Sequence, residues 1–278
     1  MKTAAEPRMP RALSSTRGFG VLLGMVLAAP GIAPGIARGA EPAVATNPPP
    51  APPRLVLSMP AAVVPGRTNA LRIRGQRLGE MHRLELRTPA GTAPLPIPTA
   101  ATVPVPDRFK VEQVGDSQIE LDCFVPEGVP EGLHASLAAT SPAGESALLP
   151  LVVVKAENWN PGFKPSGGFA DAPLLPPGTW ITGTLPDRRE VAVMRIETRA
   201  GQRLRAEVWA SRYGSTLDAA LSLHDARGAV LRRVDDREGR DPVLEWTFPA
   251  TGRHYLSLAG ADERTAPTHT YLLRVDLE

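Results

Sequence analysis

Apolar and polar residues alternate along much of the second half of the chain, most regularly between residues 200 and 236. Leu204, Ala206 and Val208 fall at every second position, and charged residues occupy the positions between them. Because neighbouring side chains of a β-strand point to opposite faces of the sheet, this period of two predicts a strand with one buried face. Turn-forming residues at 225–228 separate two further segments of the same kind. The stretch therefore predicts three strands of an antiparallel sandwich.

The same alternation recurs along the rest of the chain. In the second half it predicts strands near 179–185, 191–199, 203–211, 219–225, 229–235, 243–249, 253–259 and 270–277. In the first half it predicts strands around Leu55–Met59, Leu71–Arg74, Arg83–Arg87, Phe109–Glu112, Ile119–Val125, Leu133–Ala139 and Leu148–Val154. No segment shows a helical period, so we expect helix to be nearly absent. The predicted fold is all-β, with two tandem antiparallel β-sandwich domains, immunoglobulin-like at 54–155 and jelly-roll-like at 178–278.

The first 40 residues have the pattern of an export signal. A basic leader precedes an apolar run at 18–29 that is too short to span a membrane comfortably, and the small residues Ala37, Gly39 and Ala40 follow around a cleavage region at 37–41. We expect cleavage there, which places the mature protein outside the cell, in the periplasm or in the cell envelope with no membrane span. The alternative is an uncleaved N-terminal anchor.

Two proline-rich segments divide the rest of the chain. Residues 41–53 contain six prolines and nothing to bury, which predicts an extended linker. Residues 156–177 are dense in proline, glycine and asparagine, which predicts an interdomain linker.

Removal of the signal changes the charge of the protein. Residues 1–40 hold five of the 31 basic residues and one of the 29 acidic residues, which leaves 26 basic and 28 acidic residues in the mature chain. A balance so close to neutral gives no reason to expect nucleic acid or acidic lipid as a partner.

The residues that usually carry catalysis do not fall into recognisable motifs. The five histidines are scattered, and the chain has neither a zinc-site spacing nor a nucleophile elbow nor a phosphate-binding glycine loop. Cys123 is the single cysteine and shares the parity of Ile119 and Leu121, which predicts a buried, inert thiol. We therefore expect no enzyme.

A series of spaced residues in the second half points to a family. They are Gly201-Gln202-Arg203-Leu204, Gly214-Ser215-Thr216-Leu217-Asp218, Leu221, Asp225, Gly228, Asp235-Asp236, Pro249, Gly252 and Tyr271-Leu272-Leu273. In these residues the chain resembles the bacterial pre-peptidase C-terminal domain, in the version found in secreted proteins of Planctomycetes-type bacteria. The resemblance covers residues 157–278. It departs from the family pattern at Ala192-Val193-Met194, where the second strand usually begins with Asp-x-Phe.

The region before this domain resembles the immunoglobulin-like domains that precede it in similar proteins. The residues concerned are Gly132-Leu133-His134 and the turn at 140–144. The family is often appended to secreted peptidases, so the resemblance also implies a link with such enzymes.

Two groups of residues are candidates for binding. Trp209 shares the outward parity of Arg203 and Arg205, so that its ring could stack on a sugar or a peptide; it could equally lie against the first domain or the linker. Some relatives in this superfamily bind calcium, and five aspartates of this chain lie in or beside turns, where carboxylates could hold that ion: Asp218, Asp225, Asp235, Asp236 and Asp241. The alternative is that these carboxylates bond their own backbone or nearby arginines. No other cofactor is expected.

Three functions follow from this reading. The first is an exported, non-catalytic binding module whose partner is an envelope or extracellular protein or a polysaccharide. The second is an accessory protein that acts in trans with a secreted peptidase. The third is a structural spacer without a ligand. The sequence sets no oligomeric state.

Overall fold

The computed structural model describes residues 50–187, 189–236, 239–262 and 266–278. The predicted export signal and most of the predicted linker at 41–53 lie outside the described residues. The strands are β1 (Arg54–Met59), β2 (Ala62–Val63), β3 (Arg67–Gln76), β4 (Arg83–Thr88), β5 (Gly91–Leu95), β6 (Ala101–Thr102), β7 (Ser117–Val125), β8 (Gly132–Ser141), β9 (Gly144–Glu145), β10 (Leu149–Val153), β11 (Trp159–Asn160), β12 (Thr179–Thr184), β13 (Val191–Thr198), β14 (Arg203–Trp209), β15 (Ala219–His224), β16 (Val230–Val234), β17 (Val243–Thr247), β18 (Gly252–Gly260) and β19 (Thr270–Leu277). The α-helix α1 is Val111–Val114, and 3₁₀ turns lie at Leu78–Glu80, Ala156–Asn158 and Ser211–Tyr213. Among the described residues no helix is long and apolar enough to cross a lipid bilayer.

Strands β1 to β10 form a first sandwich. One sheet has the order β1-β3-β7-β6, and the other has the order β2-β10-β8-β4-β5 with β9 beside β8. In β7 the side chains of Ile119, Leu121, Cys123 and Val125 alternate with exposed ones and enter the core between the sheets. The predicted burial of Cys123 is confirmed, and this burial raises the pKa of its thiol to about 11. The thiolate, which is the nucleophilic form, is therefore scarce at neutral pH.

Strands β11 to β19 form a second sandwich. Its sheets have the orders β11-β12-β19-β14-β17 and β13-β18-β15-β16. Leu204 and Leu221 are 2% and 0% exposed in the core between these sheets, whereas Arg205 lies on the opposite face of β14. All residues of β15 are buried, because Phe169 from the segment before β12 packs over its outer face at His224.

The predicted all-β class of antiparallel sandwiches is confirmed, with two short parallel pairs at β2/β10 and β11/β12. One predicted strand is wrong: residues 109–112 form a turn and the start of α1. The backbone N–H of Lys110 donates to the Gln113 side chain, and the backbone N–H of Gln113 donates to the Lys110 carbonyl. These local hydrogen bonds close a helical turn, which a two-residue alternation cannot distinguish from a strand.

The described residues form one compact unit that contains both sandwiches. A shared apolar cluster, which we call the join, consists of Leu57, Ala61, Ala62, Val64, Val152, Val154, Trp180, Tyr213 and Leu272. Gly214 lies beside it in a left-handed conformation (φ +94°), and a Cβ there would lie 2.5 Å from the Val56 carbonyl oxygen. The backbones of the two sandwiches thus approach each other at a position where only glycine fits. The predicted domain boundaries at 54–155 and 178–278 stay a prediction.

The predicted linker at 156–177 is ordered along the second sandwich. Its Trp159 and Asn160 form β11 and pair with β12. Further on, Ser166 and Leu174 form single β-bridges with residues of β13. The segment therefore runs in contact with both sheets.

Candidate functional site

Trp209 packs against the join. Its ring meets that of Trp180 edge-to-face, with 5.3 Å between centroids and an interplanar angle of 84°. The guanidinium of Arg212 lies 4.8 Å from the Trp209 ring centroid. Both contacts are favourable for an aromatic ring, which attracts cations over its face and prefers T-shaped neighbours. Trp209 thus packs against an apolar cluster that both sandwiches supply, and stacking on a sugar or a peptide stays a prediction.

Hydrogen bonds to Glu131 connect the two sandwiches beside these rings. Glu131, between β7 and β8, accepts hydrogen bonds from Trp180 Nε1 and from Arg274 Nη1, each at 3.1 Å. The Arg274 guanidinium also lies 5.6 Å from the Trp180 ring centroid. One carboxylate of the first sandwich therefore holds two side chains of the second.

Asp241 is fully buried and organises the turn next to Trp209. Its carboxylate accepts backbone N–H groups of Ala210, Ser211 and Arg212 at 3.2, 2.8 and 3.3 Å. The Arg212 guanidinium lies 3.2 Å from the same carboxylate. The carboxylate thereby caps the 3₁₀ turn that carries Tyr213 into the join.

Arg212 also connects this turn to β14. Its Nη1 lies 2.6 Å from Glu207, which in turn lies 3.1 Å from Arg205. Burial alone raises the pKa of Glu207, but the hydrogen bond from Arg212 and the neighbouring positive charges outweigh it, so the pKa lies below its usual range. The carboxylate is thus held in its charged form.

Arg203 and Arg205 lie at the other end of β14. With Glu245, Trp246 and Thr247 they line a surface depression of about 390 Å³. Arg205 donates to Glu245 at 2.9 Å. Trp209 does not line this depression, so the structure does not bring the three predicted ligand-binding residues into one pocket. Ligand binding by them stays a prediction.

Four of the five aspartates predicted for calcium bond separately, each to different groups. Asp241 is buried as described, Asp225 accepts the backbone N–H groups of Arg227 and Ala229, and Asp235 accepts that of Asp236. Asp218 lies 3.5 Å from Arg240. Among the described residues no three acidic, histidine or cysteine side chains converge on one point. Calcium binding stays a prediction.

A histidine–serine pair, which the sequence analysis missed, lies on the outer face of the second sandwich. His224 Nε2 is 2.8 Å from Ser257 Oγ, and its Nδ1 is 3.1 Å from the Gly228 carbonyl oxygen. Because a carbonyl only accepts, Nδ1 carries the proton, and Nε2 of the neutral ring accepts from the serine. This is the geometry of a nucleophile and its base.

In this fold the Ser257 hydroxyl provides a hydrogen-bond partner for the buried imidazole of His224. His224 is 7% exposed, and Phe169 packs edge-on against it with 4.9 Å between centroids. No sequence motif could have revealed the pair, since its members lie on the adjacent strands β15 and β18, 33 residues apart.

Comparison with known proteins gives a partial match. No family model matches the chain. A probable subtilase-type serine protease of Deinococcus radiodurans is 31% identical over 134 residues, which are 45% of this chain and 18% of the protease. The chain is similar to a part of that protease. It spans less than a fifth of the length of this curated relative.

Two solved structures are also similar. The pre-peptidase C-terminal domain of a collagenase from Bacillus anthracis is 18% identical, covers 37% of this chain and 90% of that domain, and has a TM-score of 0.29. A periplasmic inhibitor of g-type lysozyme from Aeromonas hydrophila is 14% identical, covers 38% of this chain and 95% of the inhibitor, and has a TM-score of 0.30. The Planctomycetes type and the immunoglobulin-like first domain stay predictions.

Proposed function

We propose that the chain is an exported, non-catalytic binding module of the cell envelope or extracellular space, with a protein or a polysaccharide as its ligand. The observation that carries this proposal is the use of the aromatic and charged side chains around Trp209. They bond to one another and fasten the two sandwiches together, instead of converging on a substrate. Such a fused pair of sandwiches is a scaffold that presents strand edges and loops to a partner.

A binding screen of the mature chain, residues 41–278, tests this proposal. The probes are gelatin, casein, chitin, cellulose and peptidoglycan, with heat-unfolded protein as the control. We expect saturable binding to one of these classes and no hydrolysis of casein, gelatin, ester or glycoside substrates above that control. An absence of saturable binding would favour the spacer.

Turnover that survives further purification would contradict the non-catalytic part of the proposal. Ser257→Ala then identifies the origin of the activity, because it removes the one hydroxyl that is bonded to His224 Nε2. A matched control is Ser222→Ala, since Ser222 pairs with Ser257 across β15 and β18 and has no such bond.

A second candidate function is an accessory role in trans with a secreted peptidase. The identity of 31% with a part of a subtilase-type protease favours it. The tagged mature chain, incubated with culture supernatant and recovered, should then retain a peptidase that is visible by zymography. Recovery of no peptidase activity above an untagged control would remove this candidate.

A further inference from the structure

The second sandwich has an open corner between β12 and β13. A cavity of about 570 Å³ opens there. Its lining comes from the segment 163–167, the end of β12 with the following Leu185, residues 189 and 190, the start of β13 and Tyr271. We call this site the open corner.

Tyr271 reaches the open corner by crossing a strand. It pairs with Gly183 of β12, and a Cβ at position 183 would collide with the Tyr271 hydroxyl. Because glycine has no side chain, the tyrosine ring lies across β12 with its hydroxyl over Gly183. Gly183 is thus the residue that allows a core tyrosine to line the cavity.

Among the described residues none acts on the pKa of the Tyr271 hydroxyl through a hydrogen bond, and burial alone shifts it; the residue is 1% exposed and lines the cavity. Tyr213, the other tyrosine with 1% exposure, bonds to Thr270 Oγ1 at 3.1 Å. A buried tyrosine hydroxyl normally finds a partner. The Tyr271 hydroxyl faces the cavity, where a group of a ligand can reach it, and burial raises the pKa of this hydroxyl, so it is a donor at neutral pH.

The edge of β12 is open at the same place. The chain itself adds the short strand β11 to this edge, which pairs with Trp180 and Ile181. Beyond Ile181 no described strand continues along that side, and Thr182 to Thr184 are partly or fully exposed. A strand edge presents backbone N–H and C=O groups in a row, and another extended chain satisfies them one by one.

The walls of the cavity set the chemistry of an inserted side chain. Phe163, Leu185 and Val191 supply apolar surface that suits a methylene stem. Lys164 and Arg189 contribute two positive charges to the lining against one negative charge from Glu190. The positive excess and the tyrosine donor both favour a tip that carries an oxygen acceptor.

We propose that the open corner binds an extended segment of another polypeptide, which pairs with Thr182–Thr184 in continuation of β11 and inserts a Glu or Gln side chain toward Tyr271. This proposal rests on the proposed function, a binding module, and names the class of its ligand. The chain's own addition of β11 to this edge is the reason to choose a polypeptide over a polysaccharide.

The test begins with a library of random linear dodecapeptides displayed on phage and selected against the mature full chain. Enriched peptides are synthesised, and their Kd is measured by fluorescence polarisation. We expect enriched peptides to share one Glu or Gln within an extended motif. Tyr271→Phe should weaken binding about five- to tenfold, the effect of one lost hydrogen bond, whereas Tyr213→Phe, the matched loss of a tyrosine hydroxyl elsewhere, should change it less than about twofold.

A double-mutant cycle links the hydroxyl to the peptide. Replacement of the shared Glu or Gln by Leu should weaken binding to the wild type but cause little further loss in Tyr271→Phe. Amide resonances of Thr182 to Thr184 should shift when peptide binds. If the Leu replacement weakens binding equally in the wild type and in Tyr271→Phe, or if the resonance shifts are confined to another surface, the assignment of the site is overturned. The proposal that the chain is a binding module would still stand.

Two other outcomes separate this inference from the proposed function. Saturable binding to a polysaccharide with no enriched peptide would overturn the inference and leave the proposed function. Failure of every probe and every peptide would overturn both.

Discussion

The join and the open corner lie on the same strand and differ in what the chain supplies to them. Trp180 of β12 meets the first sandwich, whose Glu131 bonds to its indole nitrogen. Four residues later, at Thr184, the same strand has an open edge, and Tyr271 lines the cavity of the open corner. A surface of the second sandwich is therefore covered where another part of the chain packs on it, and it stays open where none does. Surfaces with an internal partner stabilise the fold, and a surface that lacks one is where we expect a ligand.

The largest loss of stability is expected from a change at Asp241, which lies beside the join. Asp241→Ala leaves three backbone N–H groups and the Arg212 guanidinium without their carboxylate, and we expect a loss of about 3–5 kcal/mol in the free energy of unfolding. Asp218→Ala is the matched control, because its ion pair with the exposed Arg240 is worth about 0–1 kcal/mol. Urea unfolding of both variants measures the difference. Equal losses would mean that burial does not distinguish these two aspartates.

Trp209 tests the join directly. Trp209→Ala removes the ring that contacts Trp180 and Arg212, and we expect it to lower the free energy of unfolding by about 3 kcal/mol, at the low end for a large aromatic because the ring is only partly buried. Trp209→Phe keeps an aromatic ring and should lose less than half of that amount. If Trp209→Ala costs less than about 0.5 kcal/mol, as an ordinary surface substitution does, the ring does not hold the sandwiches together.

Glu207 makes part of the closed region sensitive to acid. Its folded pKa lies below the ordinary value of 4.5, so its contribution to stability is fully present above that value and is lost as the pH falls through the folded pKa. The stability difference between wild type and Glu207→Gln should therefore shrink between pH 7 and pH 3. Thermal unfolding across this range measures it, and a constant difference would exclude the ion pairs of Glu207 as its source.

The smallest effect on stability is expected in the open corner. Tyr271→Phe removes a hydroxyl that faces the cavity and should change the free energy of unfolding by less than about 0.5 kcal/mol. Tyr213→Phe removes the hydroxyl that bonds to Thr270 and should cost about 1 kcal/mol. Parallel urea titrations compare the two. A larger loss at Tyr271 than at Tyr213 would show that the Tyr271 hydroxyl is needed for the fold.

The sequence predicts well what depends on local period. Leu204 and Leu221 are buried as their parity requires, and the strands of the second sandwich lie within a few residues of their predicted positions. Parity places Trp209 on the outward face of β14 but cannot say what covers that face. Trp209 packs against the join, whose members come from both sandwiches and are related to Trp209 only through the fold.

The position of Tyr271 across Gly183 and the bond between His224 and Ser257 could not be predicted from the sequence either, because both depend on contacts between different strands. Tyr271 has the parity of a core residue, and it lines the cavity because its cross-strand partner Gly183 has no side chain to block its ring. The bond between His224 and Ser257 likewise depends on the register between β15 and β18. Pairing register is a long-range property, which the alternation within one strand does not determine.

Cys123 and the tryptophans together give the most direct test of the join. Cys123 is buried in the core of the first sandwich, whereas all four tryptophans, Trp159, Trp180, Trp209 and Trp246, lie at or after β11. Pulsed thiol labelling, followed with tryptophan fluorescence through one urea titration of the mature chain, therefore reports on the core of the first sandwich, and the fluorescence reports on the second sandwich and the join. If the sandwiches share a core, Cys123 becomes reactive at the same urea concentration at which the tryptophan signal changes, in a single transition. Labelling of Cys123 at a clearly lower concentration, while the tryptophan signal is still native, would contradict the account.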